Sequence, residues 1–405
     1  MTATPTAQAT YAVCRTPCKC GKRLAKASTF YAQKFETSVR NLVKMQRDFT
    51  RLLIAATTTD VATSQAALPT LAAAGKVIQE CQEAVTSQLT EITTGLPALA
   101  NTSAKLAALA RHGRTTTTVK LTAKGGNGQF QTDSFADPPV GIKSDDSCGD
   151  EQEDDSSRFD SNQDGEKNAI LEPSEYHRAT ITCISSGSTN CNSAAQTANS
   201  GYIQFALTST THEDNSKPPT RWGTSKGNKD VAVQGKVNIT QGTKEAAQAA
   251  LKTLKSAAEN KACERKLDDY TKVSTSPLFK RQAIRSLLNQ PNNEQDSTNP
   301  PDKLTAPITA AYGEGGKEYK TKLWEAIETL KPAITKNKER AELDVKENTP
   351  LGQLTEALAR RIGEANSKAS QTTKINKKCK RPKQVRCSKQ KRRKERRRQQ
   401  KQTAS

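Results

Sequence analysis

The chain has 405 residues, with 63 Lys plus Arg against 42 Asp plus Glu and a formal net charge of +21. It is 33% hydrophobic and 4% aromatic, and no apolar run approaches the roughly 20 residues of a membrane-spanning helix; neither an integral membrane protein nor one thick globular core is expected. The charge is concentrated: residues 374–401 hold sixteen basic residues and a single acid, Glu395, so the remainder is nearly balanced.

Residues 1–13 carry neither the basic start nor the apolar stretch of a secretory signal. Cys14-x3-Cys18-x-Cys20 follows with no His nearby, which favours disulfides to distant cysteines over a metal site. Residues 24–66 predict a helix with Leu24, Tyr31, Phe35, Val39, Leu42, Phe49, Leu52 and Leu53 along one stripe. A second seam runs Leu71, Ala74, Ile78, Cys81, Val85, Gln88, Ile92, Gly95, Leu99, Thr102, Leu106 and Leu109 in steps of three and four. That is a coiled-coil pattern, interrupted at Gln88, Gly95 and Thr102, and Pro97 is expected to kink it. About twelve residues join the stripes, so the two predict an antiparallel hairpin. Each arm would be ~60 Å long at 1.5 Å per residue.

The pattern stops near His112. Residues 114–242 are rich in Thr, Ser, Gly, Asp and Asn, with β-like runs at 115–121, 179–184 and 202–207. Seven acids between 145 and 155 predict a solvated loop. Asp160-Ser161-Asn162-Gln163-Asp164-Gly165 opens like an EF-hand loop, but Leu171 stands where the bidentate Glu belongs, so an Asp/Asn/Gly turn is read instead of a calcium site. His112, His177 and His212 lack a nucleophile context, and no phosphate-loop, hydrolase-elbow or zinc-protease motif occurs. An enzyme, a cofactor and a metal are not predicted.

Helical periodicity returns at 243–269, 318–334 and 351–365, whereas 366–405 offers no apolar face and reads as unfolded. The resulting fold class is mainly α: a long antiparallel helical hairpin (coiled-coil rod) with a loop-rich head containing short β-strands. The domain reading is 1–368 (hairpin 24–112, head 114–242, returning helices 243–365), followed by a disordered basic tail at 369–405. The tail reads as a non-specific nucleic-acid arm, a solvated linker or a frame-altered end. Eight dispersed cysteines, Cys14, Cys18, Cys20, Cys81, Cys148, Cys183, Cys191 and Cys263, suit a disulfide framework in an oxidising compartment. Asn101-Thr102-Ser103 and Asn238-Ile239-Thr240 are candidate N-glycosylation sequons.

The order of these features resembles a known family. A Cys-containing start leads into Leu24-Ala25-Lys26, a very long Ala/Thr-rich helical hairpin and a Cys-linked loop-rich region. With the later KLTAPITAAYGEGGKEYKTKLWEAIETL and LGQLTEALAR segments, it is similar to the A-type N-terminal domain of the trypanosome variant surface glycoproteins over residues 10–368. The resemblance implies a homodimer packed among neighbouring coat proteins on the cell surface, held to the outer face of the plasma membrane by a lipid anchor. It also implies loops exposed to host antibodies, antigenic variation, and glycan on Asn101 or Asn238. Signal peptide, Cys-rich C-terminal domain and anchor signal are not found in this sequence, which therefore reads as a truncated member. The alternative is a nuclear or nucleic-acid-associated coiled-coil protein acting through the basic tail.

Overall fold

The computed structural model describes residues 12–112, 116–124, 129–130, 153–167, 171–184, 202–210, 220–221, 229–294 and 301–379. The fold divides into two compact units, one drawn from 1–38 and 84–261, the other from 39–83 and 262–405. Two long helices supply both. Helix α1 is Pro17–Ala56 and α2 is Val61–His112.

Helix α1 begins earlier than its apolar stripe because Pro17 sits at the first helical position, with the Thr16 hydroxyl accepting from the Lys19 amide at 3.3 Å. The connection to α2 is four residues rather than twelve. Asp60 caps α2: its carboxylate accepts from the amides of Ala62 and Thr63 and from the Thr63 hydroxyl. These bonds hold the Asp60 carboxyl below the usual carboxylate range. Helix α2 continues through Pro97 instead of breaking. Leu96, Ala98 and Leu99 around it are packed into the core, and those contacts hold the turn that lacks one backbone donor.

In the first unit, α1 and α2 run antiparallel: the Ser103 hydroxyl donates to the Gly21 carbonyl at 2.8 Å, and a Cβ on Gly21 would meet Leu106. Helix α3 (Thr243–Ala258) closes this core through Ala247, Ala250, Leu251 and Leu254, against Leu24, Ala27, Tyr31, Leu99 and Leu106. Two of the three breaks in the α2 seam are where α3 docks. Gly95 leaves room for Leu254, which a Cβ there would approach to 2.8 Å, and Gln88 donates to the Ala257 carbonyl at 3.0 Å.

The three β-like runs fall on strands longer than themselves, β1 (Thr116–Lys124), β3 (Tyr176–Ile184) and β4 (Tyr202–Thr210), and two further strands, β2 (Gln129–Phe130) and β5 (Lys229–Asn238), were not expected. They form an antiparallel sheet in the order β2-β1-β4-β3-β5, with irregular register between His177 and Thr180 where β3 meets β5.

The second unit is built on rings. Tyr270, Phe279, Tyr312 and Tyr319 stack with centroids 5.4 to 5.9 Å apart. Buried Tyr312 donates to the Ala66 carbonyl at 2.7 Å, and Tyr319 to the Leu267 carbonyl at 2.8 Å. Gly316, at φ 81°, lies under the Tyr270 ring, where no side chain fits. Short helices α4 (Tyr270–Ser274), α5 (Pro277–Leu287) and α6 (Thr305–Tyr312) carry the first three rings, Tyr319 follows α6, and Ser276 with Pro277 starts α5.

The helix expected over 318–334 ends early. A π-helical stretch, Lys320–Glu325, leads into α7 (Ala326–Glu328), and then β6 (Ala333–Lys336) pairs with β7 (Glu339–Glu342). Asn337 and Lys338, at φ 53° and 66°, make the two-residue turn that this hairpin needs. Helix α8 (Leu351–Cys379) outruns its apolar pattern, so residues 366–379 are helical rather than unfolded. Ala, Lys, Gln and Ser there carry no breaker, which lets the helix propagate. Residues 380–405 lie outside the described residues. No helix among the described residues is long and apolar enough to cross a membrane.

Glu175, immediately before β3, is 1% exposed, and its Oε1 has no hydrogen-bond partner. Burial pushes its carboxyl up to about 7. The folded protein therefore holds a proton there that the unfolded chain releases above its ordinary value near 4.5. Stability from this group is full below that value and is lost as pH rises through about 7. We expect Glu175→Gln to be the more stable form at pH 8, by about 1–2 kcal/mol, and to match the parent at pH 4. Denaturant midpoints at the two pH values check it; an unchanged pH slope would refute it.

Candidate functional site

A tightly constrained polar site of the first unit lies where the start of α1, the 153–167 segment and α3 meet. Residues 14 and 15 lie beside 171–174: the Cys14 carbonyl accepts from the Glu172 amide at 2.9 Å and the Arg15 carbonyl from the Ser174 amide at 3.1 Å. Cys14 is bonded to Cys20 one turn into α1, which ties this segment to the helix. One turn further, Arg23 is 1% exposed and meets Asp164 at 0%. The contact is a two-pronged fork, Nε to Oδ2 at 2.8 Å and Nη2 to Oδ1 at 2.7 Å. Nη1 donates to the carbonyls of Ala12 at 2.6 Å and Ser156 at 3.3 Å.

The DSNQDG turn is folded around this pair. Asp160 accepts from the Asn162 amide and the Gln163 side chain, so it serves the turn itself. Gly165 sits at φ 97° with its α-carbon against α3; a Cβ would come within 2.8 Å of the Leu251 carbonyl. From α3, Lys255 donates to the Asn162 carbonyl at 2.5 Å and to Glu166 at 2.7 Å. The carboxylates of Asp160 and Asp164, which resembled calcium ligands, are engaged by protein donors. No group of three or more potential metal-ligating side chains occurs among the described residues.

Only the end of the acidic run, 153–155, is described, and it departs from a purely solvated loop. Lys19 pairs with Asp154 at 2.5 Å and Lys26 with Glu153 at 3.0 Å, both on the α1 surface. The Lys19 ammonium, with Ser156, holds the Asp154 carboxyl well below the usual carboxylate range. Exposed pairs of this kind add little stability, so they orient the segment rather than anchor it.

Of the candidate cysteines, Cys14 pairs locally with Cys20, six residues away, rather than with a distant partner, because the first turn of α1 brings the two together. Cys81 on α2 pairs with Cys263, 182 residues on. Cys18 and Cys183 are disulfide-bonded as well. Cys148 and Cys191 lie outside the described residues. Asn101 is exposed within the last part of α2, and the hydroxyl of its sequon's Ser103 is bound to Gly21. Asn238 ends β5, also exposed, in a different geometry: its side-chain oxygen accepts from the Thr240 amide at 3.0 Å. The Thr240 hydroxyl lies within 2.7 Å of that oxygen and 2.9 Å of the Pro173 carbonyl.

His112 is the last residue of α2, and His212 lies outside the described residues. His177 Nδ1 stands 3.2 Å from Ser209 Oγ, a neighbour that sequence spacing did not reveal because antiparallel pairing of β3 and β4 brings it in. Arg23 and Lys255 were also missed. The signal for Arg23 was a charged residue beside Leu24 on the buried face of an otherwise apolar stripe.

No family model matches the chain. Over 360 residues it is 24% identical to Variant surface glycoprotein 20 of Trypanosoma equiperdum, covering 86% of this chain and 76% of that relative. The crystal structure of variant surface glycoprotein VSG13 superposes with a TM-score of 0.69 at 19% identity, over 87% of this chain and 99% of that one. The variant surface glycoprotein VSGsur bound to suramin superposes with a TM-score of 0.50 at 12% identity, over 88% of this chain and 100% of that one. The solved structures show the shared fold.

Removing Arg23 would leave a buried, uncompensated carboxylate. We expect Arg23→Ala to cost about 3–5 kcal/mol, and the paired apolar replacement Arg23→Met with Asp164→Leu to recover most of it. Denaturant titration of the full chain checks both. Equal losses in the single and double variants would show that the pair does not act as a unit.

Proposed function

We propose that this chain, related to the trypanosome variant surface glycoproteins and carrying the fold of their N-terminal domain, is a surface coat glycoprotein. The observation that carries the reading is the match in sequence across 360 residues together with the same fold along most of the chain. Function in such a protein is physical rather than catalytic. Many copies side by side exclude antibodies from the membrane beneath, and the parts that antibodies reach differ between variants while the scaffold stays. The core supports this division of labour. Small buried residues, Ala73, Ala74, Ala84, Ala247 and Ala250, with Gly95, set the helix packing. Exposed strand and loop positions are free to change without disturbing it.

On this reading the chain acts as a homodimer among neighbouring coat proteins, held to the outer face of the plasma membrane by a lipid anchor, with host antibodies as its external partners. The 114–242 region is the part they meet. Pairing of Cys14 with Cys20 and of Cys81 with Cys263 supports an oxidising compartment. Asn238, at the end of a strand in a turn of its own making, is the better-presented sequon, whereas Asn101 lies within a helix whose Ser103 hydroxyl is already bonded.

Mass spectrometry of the full chain from a secretory host, digested without reduction, checks these assignments. The expected result is Cys14–Cys20 and Cys81–Cys263 cross-linked peptides, with glycan on Asn238 and none on Asn101. Freely alkylating body cysteines would count against a surface protein and for the nuclear reading. Antibodies raised against the chain should bind live cells that express it; binding only after permeabilisation would overturn the coat assignment.

A further inference from the structure

N-glycosylation joins the side-chain amide nitrogen of asparagine to C1 of an oligosaccharide carried on a lipid diphosphate. The C1–O bond breaks, the N–C1 bond forms, the nitrogen loses a proton and the lipid diphosphate departs. The hydroxyl two residues on is the other half of the signal, so it has to be presented together with the asparagine.

At Asn238 the fold withdraws that hydroxyl. Asn238 is exposed, but Thr240 is only 3% exposed. Its hydroxyl stands 2.9 Å from the Pro173 carbonyl and 2.7 Å from the Asn238 side-chain oxygen, which also accepts from the Thr240 amide. The turn is held from outside as well. The Ile239 amide donates to the Glu175 carbonyl at 3.0 Å, and Asn238 pairs with Tyr176 across β3 and β5. Asn101 is closed differently, inside the 52-residue helix α2, with the Ser103 hydroxyl donating to the Gly21 carbonyl.

The two sequons differ in how far along the chain their closing contacts reach. Helical bonds around Asn101 span four residues and form in about a microsecond. Thr240 meets Pro173 across 67 positions, and pairing of distant strands takes roughly milliseconds to seconds. A chain made at about 5–20 residues per second presents each new segment on that slower scale.

We propose that Asn238 is a timed acceptor, open to a lipid-linked oligosaccharide only until 238–240 seats on 173–176 and shut in the completed fold, whereas α2 shuts Asn101 as it forms. The secretory setting rests on the coat reading; the closed turn is a property of the fold.

The test uses the full chain made without glycan in a bacterial periplasm, either folded or reduced and S-alkylated. Each form is offered to solubilised microsomal transferase with a dolichyl-diphosphate oligosaccharide, and mass spectrometry reads the peptide that contains Asn238. The reduced chain should accept glycan there at least tenfold faster than the folded one; equal rates would overturn the proposal. In a secretory host, newly made chains should carry glycan on Asn238, and bare Asn238 would overturn its opening during synthesis. Ala100→Pro, which removes a helical donor beside the other sequon, should bring glycan to Asn101 whether or not the chain goes on to fold. Asn101 still bare in that variant would overturn the role given to α2. A chain that antibodies meet only after permeabilisation would sink the coat reading and leave the two transfer rates unchanged.

Discussion

A guanidinium and a carboxylate, both almost wholly removed from solvent, face each other between α1 and the 153–167 segment. Neither charge is tolerable there alone, since burying an ion costs several kcal/mol even after relaxation. The surrounding structure follows from that demand. The segment must arrive at Arg23 in one register, so Asp160 turns it and Gly165 lets its backbone lie flat on α3. Lys255 secures the far side, and the remaining guanidinium donors collect two carbonyls. An apolar contact would have accepted several registers. The forked pair accepts one, which makes it a device for specifying where a long, weakly apolar segment docks.

The helical scaffold shows the complementary strategy. With few large side chains available, α1, α2 and α3 pack through alanines, a glycine and a small number of leucines, so backbones approach closely. Two of the three residues that break the α2 seam as an uninterrupted coiled coil are contacts to a third helix. Gln88 reaches the Ala257 carbonyl near the end of α3, and Gly95 admits Leu254. A two-helix pattern read as defective was a three-helix pattern read with one partner missing.

This explains what the sequence disclosed and what it withheld. The two long helices, three strand regions and the predominance of helix were legible because periodicity is local. The α1–α2 boundary was displaced because Asp60, a single capping residue, outweighs several positions of continuing apolar pattern. The β6–β7 hairpin was hidden because Ile334 fits a helical stripe and its turn uses Asn337-Lys338 in place of the usual glycine. The Arg23–Asp164 site was hardest to see, since its partners are 141 residues apart and neither has a motif that names the other. Asp164 was noticed only as part of a failed calcium pattern.

The Cys81–Cys263 bond fixes both ends of a very long stretch of chain. The conformational cost of closing a loop grows only with the logarithm of its length, so even doubling the enclosed segment adds about 0.6 kcal/mol. Between those cysteines, insertions and deletions in the connecting loops are therefore nearly free thermodynamically, provided that α2, the 153–167 segment, the paired strands and the α3 contacts survive. Outside them, in the tightly seated aromatic rings and the first turns of α1, the same changes would be punished. The cross-link thus draws a line in the sequence between a region that can drift in length over evolutionary time and one that cannot.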